Sequence, residues 1–217
     1  MPELQYLSAV AATIGQADEA GARSAVEAAL KAGWPPAEIL AQGIGKPLFA
    51  SARQFEAGRR PAPQLMLTVR AVQAALRVLP AEGRNVPGTA AVCTLKDDPH
   101  LTGVAIMTVL LETLGFRVLE LGACVSKETV VQACRAQCCT AAIVSIHMVG
   151  VLPEAAQLVR ELHKLSPPPV VNIGGPPVSA AWAAGHEVDV FAAGAADSAE
   201  AVLSAVFARY GDAVRSA

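Results

Sequence analysis

The most constraining feature of this sequence is an alternation, from Thr89 onward, of short apolar runs with longer amphipathic segments. The runs are TAAVC, RVLEL, AAIVSI, VVNI and VDVFAA, which begin at residues 89, 117, 141, 170 and 188. Short apolar strands that alternate with helices are typical of a parallel sheet covered by helices on both faces. The region therefore predicts a Rossmann-like, flavodoxin-like α/β domain with five parallel strands in the order 2-1-3-4-5.

The preceding residues show the periodicity of helices instead. Asp18 is a candidate N-cap for a helix that stops at Gly33, and further amphipathic segments follow with short breaks. We therefore predict three regions, which are a helical bundle over residues 1–82, a linker over 83–88 and the sheet domain over 89–217.

Composition and charge narrow the class of protein. No stretch of the 217 residues approaches the roughly 18–20 uninterrupted apolar residues that a membrane helix needs. The net charge of -2 gives no electrostatic reason to expect nucleic acid as a direct partner. The first residues, MPELQYLSAV, lack the basic start and apolar core of a signal peptide, so we expect a cytoplasmic protein.

The five cysteines do not suggest a disulfide framework, because an odd number in a chain expected in the cytoplasm argues against one. Cys134 and Cys138 are four residues apart on a predicted helix, a spacing that suits a metal ion. No histidine or carboxylate completes such a set directly beside them. We interpret the cysteines as small buried apolar residues or unreactive thiols.

Three of the predicted strands end in residues that are unusual beside a buried sheet. Taken singly, each has an ordinary structural explanation, as a solvated loop histidine, a capping serine or a turn glycine. Because the carboxyl ends of parallel strands meet at one edge, the set predicts a ligand site in the crevice there. The residues of this set are Asp98, His100, Gly103, Ser145, His147, Gly174 and Gly175.

The pattern does not match a conventional nucleotide enzyme. The first strand leads into LKDDPHLTG rather than into a glycine-rich dinucleotide loop, and no phosphate-binding loop with its lysine follows. No serine stands in a nucleophile elbow. We therefore predict a binding site without a catalytic residue.

The same strand ends resemble the signature of the cobalamin-binding domain of corrinoid proteins and methionine synthase, which reads D-x-H-x-x-G, S-x-L and G-G in that order. Residues 98–103 match the first element, Ser145 begins the second, and residues 174–175 form the third, at the spacings of the family. The helical half is similar to the four-helix cap module of these proteins, through FEAG at residues 55–58 and the helix start APQ at 62–64. The resemblance covers nearly the whole chain.

This resemblance implies a role for each residue of the set. His100 is the expected lower axial ligand of cobalt, with Asp98 as the acceptor for its other ring N–H. Ser145 is expected to hydrogen-bond the displaced nucleotide tail, while Gly174 and Gly175 leave room for it. The helical cap is expected over the upper face of the corrin. The remaining expected cofactor contacts are Leu101, Thr102, Gly103, His147 and Val149.

Departures from the family pattern concern the tail slot and the upper face. His147 stands where the family has leucine, which makes the slot more polar or favours a different tetrapyrrole. Val151 stands at the relay serine of methionine synthase, and Pro61 at the aromatic residue that caps the methyl group. Carriage of cobalamin is therefore better supported than any particular methyl chemistry.

The resemblance implies a corrinoid carrier that holds a methyl group on cobalt between partner methyltransferases. Such a protein is the carrier subunit of a methyltransferase system rather than a complete enzyme. The alternative is a cobalamin- or tetrapyrrole-dependent light or redox regulator that acts through a partner protein, with heme as the alternative cofactor. An orphan storage protein and an oligomer are compatible with the same residues.

Overall fold

The computed structural model describes residues 4–80 and 87–214. The described residues form two compact units, one within Met1–Asn85 and Thr113–Gly115 and the other within Val86–Glu112 and Phe116–Ala217. The predicted linker, residues 83–88, lies outside the described residues except for its last two positions. No helix of the described residues is long and apolar enough to cross a membrane.

The first unit is built from helices whose ends follow from the local sequence. Asp18 caps the second helix as predicted, because its side chain accepts a hydrogen bond from the Gly21 N–H at 2.9 Å. Gly33 stands just beyond the end of that helix with a φ of +86°, a left-handed conformation that favours glycine. The elements are α1 (Leu4–Gly15), α2 (Glu19–Lys31), α3 (Pro36–Glu38), a π-helical segment (Ile39–Gly45), α4 (Lys46–Glu56) and α5 (Ala62–Val78).

The second unit is a parallel sheet whose strands are connected by helices. The strands pair in the order β2-β1-β3-β4. Every residue of β1 and β3 is buried, as expected for strands covered on both faces. The elements are β1 (Thr89–Leu95), α6 (Thr102–Thr113), β2 (Arg117–Val125), α7 (Lys127–Ala136), β3 (Ala141–Ser145), a 3-10 turn (Val149–Val151), α8 (Leu152–His163), β4 (Val170–Gly174), α9 (Ala180–Gly185) and α10 (Ala195–Val214).

The prediction of five strands is wrong for the described residues, in which the sheet has four. The fifth apolar run, which begins at Val188, contributes a single parallel bridge between Val190 and Asn172. Side chains make the neighbouring hydrogen bonds there. The Val171 N–H donates to the Asp189 carboxylate at 2.8 Å, and the Asn172 side-chain amide donates to the Val190 carbonyl at 2.9 Å. A strand ladder therefore does not extend beyond the one bridge.

The register of the sheet brings the predicted strand ends to one edge. Ser145 is the partner of Gly174 across β3 and β4, and Cys93 is the partner of Val144 across β1 and β3. The loop after β1 therefore begins beside the loop after β3. In an open parallel sheet, the crevice beyond such a pair of strand ends is where ligands bind.

Candidate functional site

The carboxylate of Asp98 lies at the centre of the site and is fully buried in the loop after β1. Its Oδ1 accepts hydrogen bonds from Nδ1 of His100 at 2.8 Å and from the His100 backbone N–H at 3.3 Å. Its Oδ2 accepts from the backbone N–H groups of His147 at 2.6 Å and Met148 at 3.2 Å. A carboxylate has about four acceptor positions. These donors therefore occupy Asp98 completely and tie the loop after β3 to the loop after β1.

The protonation of this cluster follows from the same contacts. Burial by itself raises the pKa of Asp98, but the hydrogen bonds from the His147 N–H, the His100 ring and the other backbone N–H groups hold that pKa below its usual value. An ionised carboxylate can only accept, so Nδ1 of a neutral His100 ring carries the proton. The Nε2 atom of His100 is then the nitrogen with a lone pair, which is the form that binds a metal.

Thr94 holds the loop after β1 in place, and sequence analysis did not single it out. Its buried hydroxyl donates to the backbone carbonyl of Asp98 and accepts from the backbone N–H of Cys124 at 3.0 Å. The end of β2 is thereby connected to the loop that carries His100. The signal in the sequence was a threonine in an otherwise apolar run, but nothing local indicated that Cys124 would contact it.

His100 and His147 form a stacked pair at the mouth of the site. Their ring centroids are 5.0 Å apart and their planes are inclined by 23°. The His100 side chain is 48% exposed, whereas His147 is half-buried. In the chain, Leu101 directly follows His100, and Met148 and Val149 follow His147. All three are exposed, although they are apolar. An exposed imidazole with apolar neighbours suits a large, flat ligand that carries a metal.

A second possible arrangement is a metal ion bound only by protein side chains, and the distances between three side chains are short enough for it. One ligand atom from each of Asp98, His100 and His147 lies within 4.8 Å of the others. Because Asp98 already accepts four hydrogen bonds, it has no acceptor position left for a metal. The geometry therefore favours His100 as the metal ligand and Asp98 as the residue that orients it.

The three predicted glycines differ in what surrounds them. A Cβ atom on Gly103 would lie 2.1 Å from Oγ of Ser145. A Cβ atom on Gly175, whose φ is +120°, would lie 1.9 Å from the backbone oxygen of Ile146. At Gly175 the clash is with the backbone, so packing of the protein itself requires glycine there, whereas a side chain at Gly103 would have to displace the Ser145 hydroxyl. A Cβ atom on Gly174 would meet no heavy atom within 4 Å, so this glycine borders open space.

The structure thus brings together the strand-end residues that the sequence indicated. The cysteines were not part of that set. Cys134 is buried and Cys138 is exposed. Within residues 4–80 and 87–214, no cysteine belongs to a group that could hold a metal ion. The contact of Asp98 with the backbone of the β3 loop was missed, because no local pattern predicts it.

Comparisons with known proteins found similar sequences and similar folds. A family model described as a B12 binding domain matches residues 88–204, and a second model with the same description matches residues 6–79. Monomethylamine corrinoid protein 1 of Methanosarcina acetivorans is 29% identical in an alignment of 198 residues that covers 85% of this chain and 90% of that protein.

Two solved structures share the fold, a helical region followed by a parallel α/β domain. A cobalamin-binding protein from Desulfitobacterium hafniense is 24% identical with a TM-score of 0.72, and the match covers 89% of this chain and 95% of that one. The methanol:cobalamin methyltransferase complex MtaBC from Methanosarcina barkeri contains a chain that is 19% identical with a TM-score of 0.73. That match covers 93% of this chain and 80% of the other.

Proposed function

The chain belongs to the B12 binding domain family, and from that membership we propose that it is a corrinoid carrier protein of a methyltransferase system. It holds cobalamin and presents a methyl group on the cobalt to partner methyltransferases. The observation that carries the proposal is the Asp98–His100 pair, in which an exposed imidazole is oriented by a buried carboxylate. The monomethylamine corrinoid protein and the MtaBC complex support the class of partner. These relatives give no support to heme or to a regulatory partner.

The residues of the site fit a corrinoid. Nε2 of His100 is the nitrogen that would hold the cobalt, because Nδ1 is engaged by Asp98. The exposed apolar side chains of Leu101 and Val149 offer a surface for the macrocycle. The open space beside Gly174 suits the displaced nucleotide tail. The bound cobalt supplies a centre that accepts and gives up the methyl group.

The residues of the chain would hold the corrinoid in one orientation. Asp98 fixes the tautomer and the plane of the His100 ring and strengthens the ring as a ligand. The backbone N–H groups of His147 and Met148 keep Asp98 ionised and immobile. Ser145, which is buried against Gly103, contributes its hydroxyl to the wall of the tail slot.

A spectroscopic titration tests the proposal. The purified protein is titrated with hydroxocobalamin and methylcobalamin, and in parallel with heme. We expect stoichiometric binding of both corrinoids with a base-off/His-on spectrum. We also expect the methylcobalamin form to lose its methyl group to the acceptor substrate of a partner methyltransferase when both are added. Tight binding of heme without binding of either corrinoid would overturn the proposal.

A further inference from the structure

Nδ1 of His147 is buried without a hydrogen-bond partner among the described residues. A second histidine in the same unit provides a contrast. His186 also stacks on an aromatic ring, that of Trp182, with centroids 4.5 Å apart. Its Nδ1, however, hydrogen-bonds the Trp182 carbonyl at 2.8 Å. His147 therefore differs in leaving a buried ring nitrogen without such a partner.

The position of His147 limits what that partner can be. The residue follows β3 directly, and its backbone N–H is fixed by Asp98 at 2.6 Å. Its ring contacts the His100 ring on one side. Its Cε1 lies 3.6 Å from the place of a Cβ atom on Gly103, at the start of α6. The ring therefore stands in the crevice between the β1 and β3 loops, at the edge of the sheet where ligands bind.

Leaving such a nitrogen unpaired is costly. A buried polar atom without a partner loses its hydrogen bonds to water and forms none with the protein, which costs free energy. An apolar side chain of similar shape does not have this cost. Stacking on His100 does not explain why the residue at position 147 has a ring nitrogen, because the ring of a phenylalanine would stack equally well. The nitrogen thus points to a polar group that is brought into the crevice by a ligand.

We propose that His147 hydrogen-bonds the polar nucleotide tail of the bound corrinoid and makes the site selective for corrinoids that carry this tail. The inference rests on the proposed corrinoid-binding function. Phosphate oxygens, ribose hydroxyls and the freed base nitrogen are the tail groups that can pair with an imidazole nitrogen. A corrinoid without the tail has none of them but is still able to bind His100 through cobalt.

The test compares two corrinoids on three proteins. Dissociation constants for hydroxocobalamin and for the tail-less aquocobinamide are measured by absorbance titration for the wild type, His147→Phe and His186→Phe. His147→Phe keeps a ring to stack and removes the nitrogen. We expect it to reduce the preference for cobalamin over cobinamide about tenfold, because cobalamin affinity falls more than cobinamide affinity. His186→Phe is the matched control and is expected to keep the wild-type ratio.

The outcomes separate the inference from the function on which it rests. An unchanged ratio in folded His147→Phe or His147→Leu would overturn the inference, since the buried nitrogen would then pair with water or with nothing. Failure of the wild type to bind either corrinoid would overturn the proposed function instead. Nitrogen-15 histidine spectra of the wild type provide a measurement without a variant: cobalamin is expected to shift the His147 Nδ1 resonance further than cobinamide does, and equal shifts would overturn the inference.

Discussion

Oδ1 of Asp98 lies 2.8 Å from Nδ1 of His100, while Oδ2 of the same carboxylate accepts the backbone N–H of His147 at 2.6 Å. One buried carboxylate therefore orients the exposed imidazole and also joins two loops that are far apart in sequence. Asp98 therefore contributes both to ligand binding and to local stability. His100 contributes mainly to binding, so substitutions at the two residues should have different effects.

Asp98→Asn is expected to destabilise the protein even without cofactor. One carboxylate oxygen becomes an NH2 group that faces N–H donors, which leaves buried groups unpaired and lowers the free energy of unfolding by about 1–3 kcal/mol. Because hydrogen bonds depress the pKa of Asp98 in the fold, its contribution to stability is present above its ordinary pKa of 3.8 and is lost as the pH falls below that value. Urea unfolding at several pH values measures both effects, and an Asn variant as stable as the wild type at neutral pH would contradict them.

His100→Ala is expected to change the cofactor spectrum and leave the fold intact. The side chain is half exposed, so water can replace its hydrogen bond to Asp98, and we expect a loss of stability of about 1 kcal/mol or less. The variant should retain some corrinoid through other contacts but lose the His-on absorbance. An unaltered spectrum would exclude His100 as the lower ligand.

Gly174 and Gly175 should respond in opposite ways to substitution. Gly174→Leu begins at a Cβ position that has no heavy atom within 4 Å, so the cofactor-free protein should keep its melting temperature while cobalamin affinity falls sharply. Gly175→Ala introduces a clash with the Ile146 backbone at a positive φ, which should cost about 1–3 kcal/mol of stability before any cofactor is added. Calorimetry and corrinoid titration of both variants test this contrast. Loss of stability in Gly174→Leu would show that the space is not open.

Gly103 and Ser145 are expected to be energetically coupled. Gly103→Ala forces a methyl group against Oγ of Ser145, an overpacking that should cost about 1–3 kcal/mol. In a Ser145→Ala background that oxygen is absent, so the same substitution should cost less. A double-mutant cycle on the free energy of unfolding measures the coupling, and strictly additive effects would refute the contact.

Asp189 is expected to anchor α10 to β4. Burial raises its pKa, but Arg209 at 2.5 Å, the Val171 N–H and the His163 ring outweigh this and hold the pKa below its usual value. Asp189→Asn should therefore lower the free energy of unfolding by about 1–2 kcal/mol at neutral pH and have less effect in acid. Glu161→Gln, which removes an exposed ion pair with Lys164, is the control and should leave the denaturant midpoint unchanged.

Much of the fold could be predicted from the sequence because it depends on local patterns. The first four apolar runs became strands, and Asp18 capped its helix, since hydrophobic periodicity and capping act within a few residues. The fifth apolar run did not become a strand, for a reason that hydrophobic periodicity cannot reveal. Asp189 and Asn172 place side-chain hydrogen bonds where a strand ladder would continue.

For the candidate site, the sequence by itself determined which residues stand at the strand ends, because a parallel sheet collects the carboxyl ends of its strands at one edge. Only the tertiary structure decided how these residues act on one another. The hydrogen bond from His147 to Asp98, the stacking of His147 on His100 and the fit of Gly103 against Ser145 each join residues from different loops or elements. Such contacts depend on strand register and on distances of a few ångströms between segments far apart in the chain, which the order of residues does not specify locally.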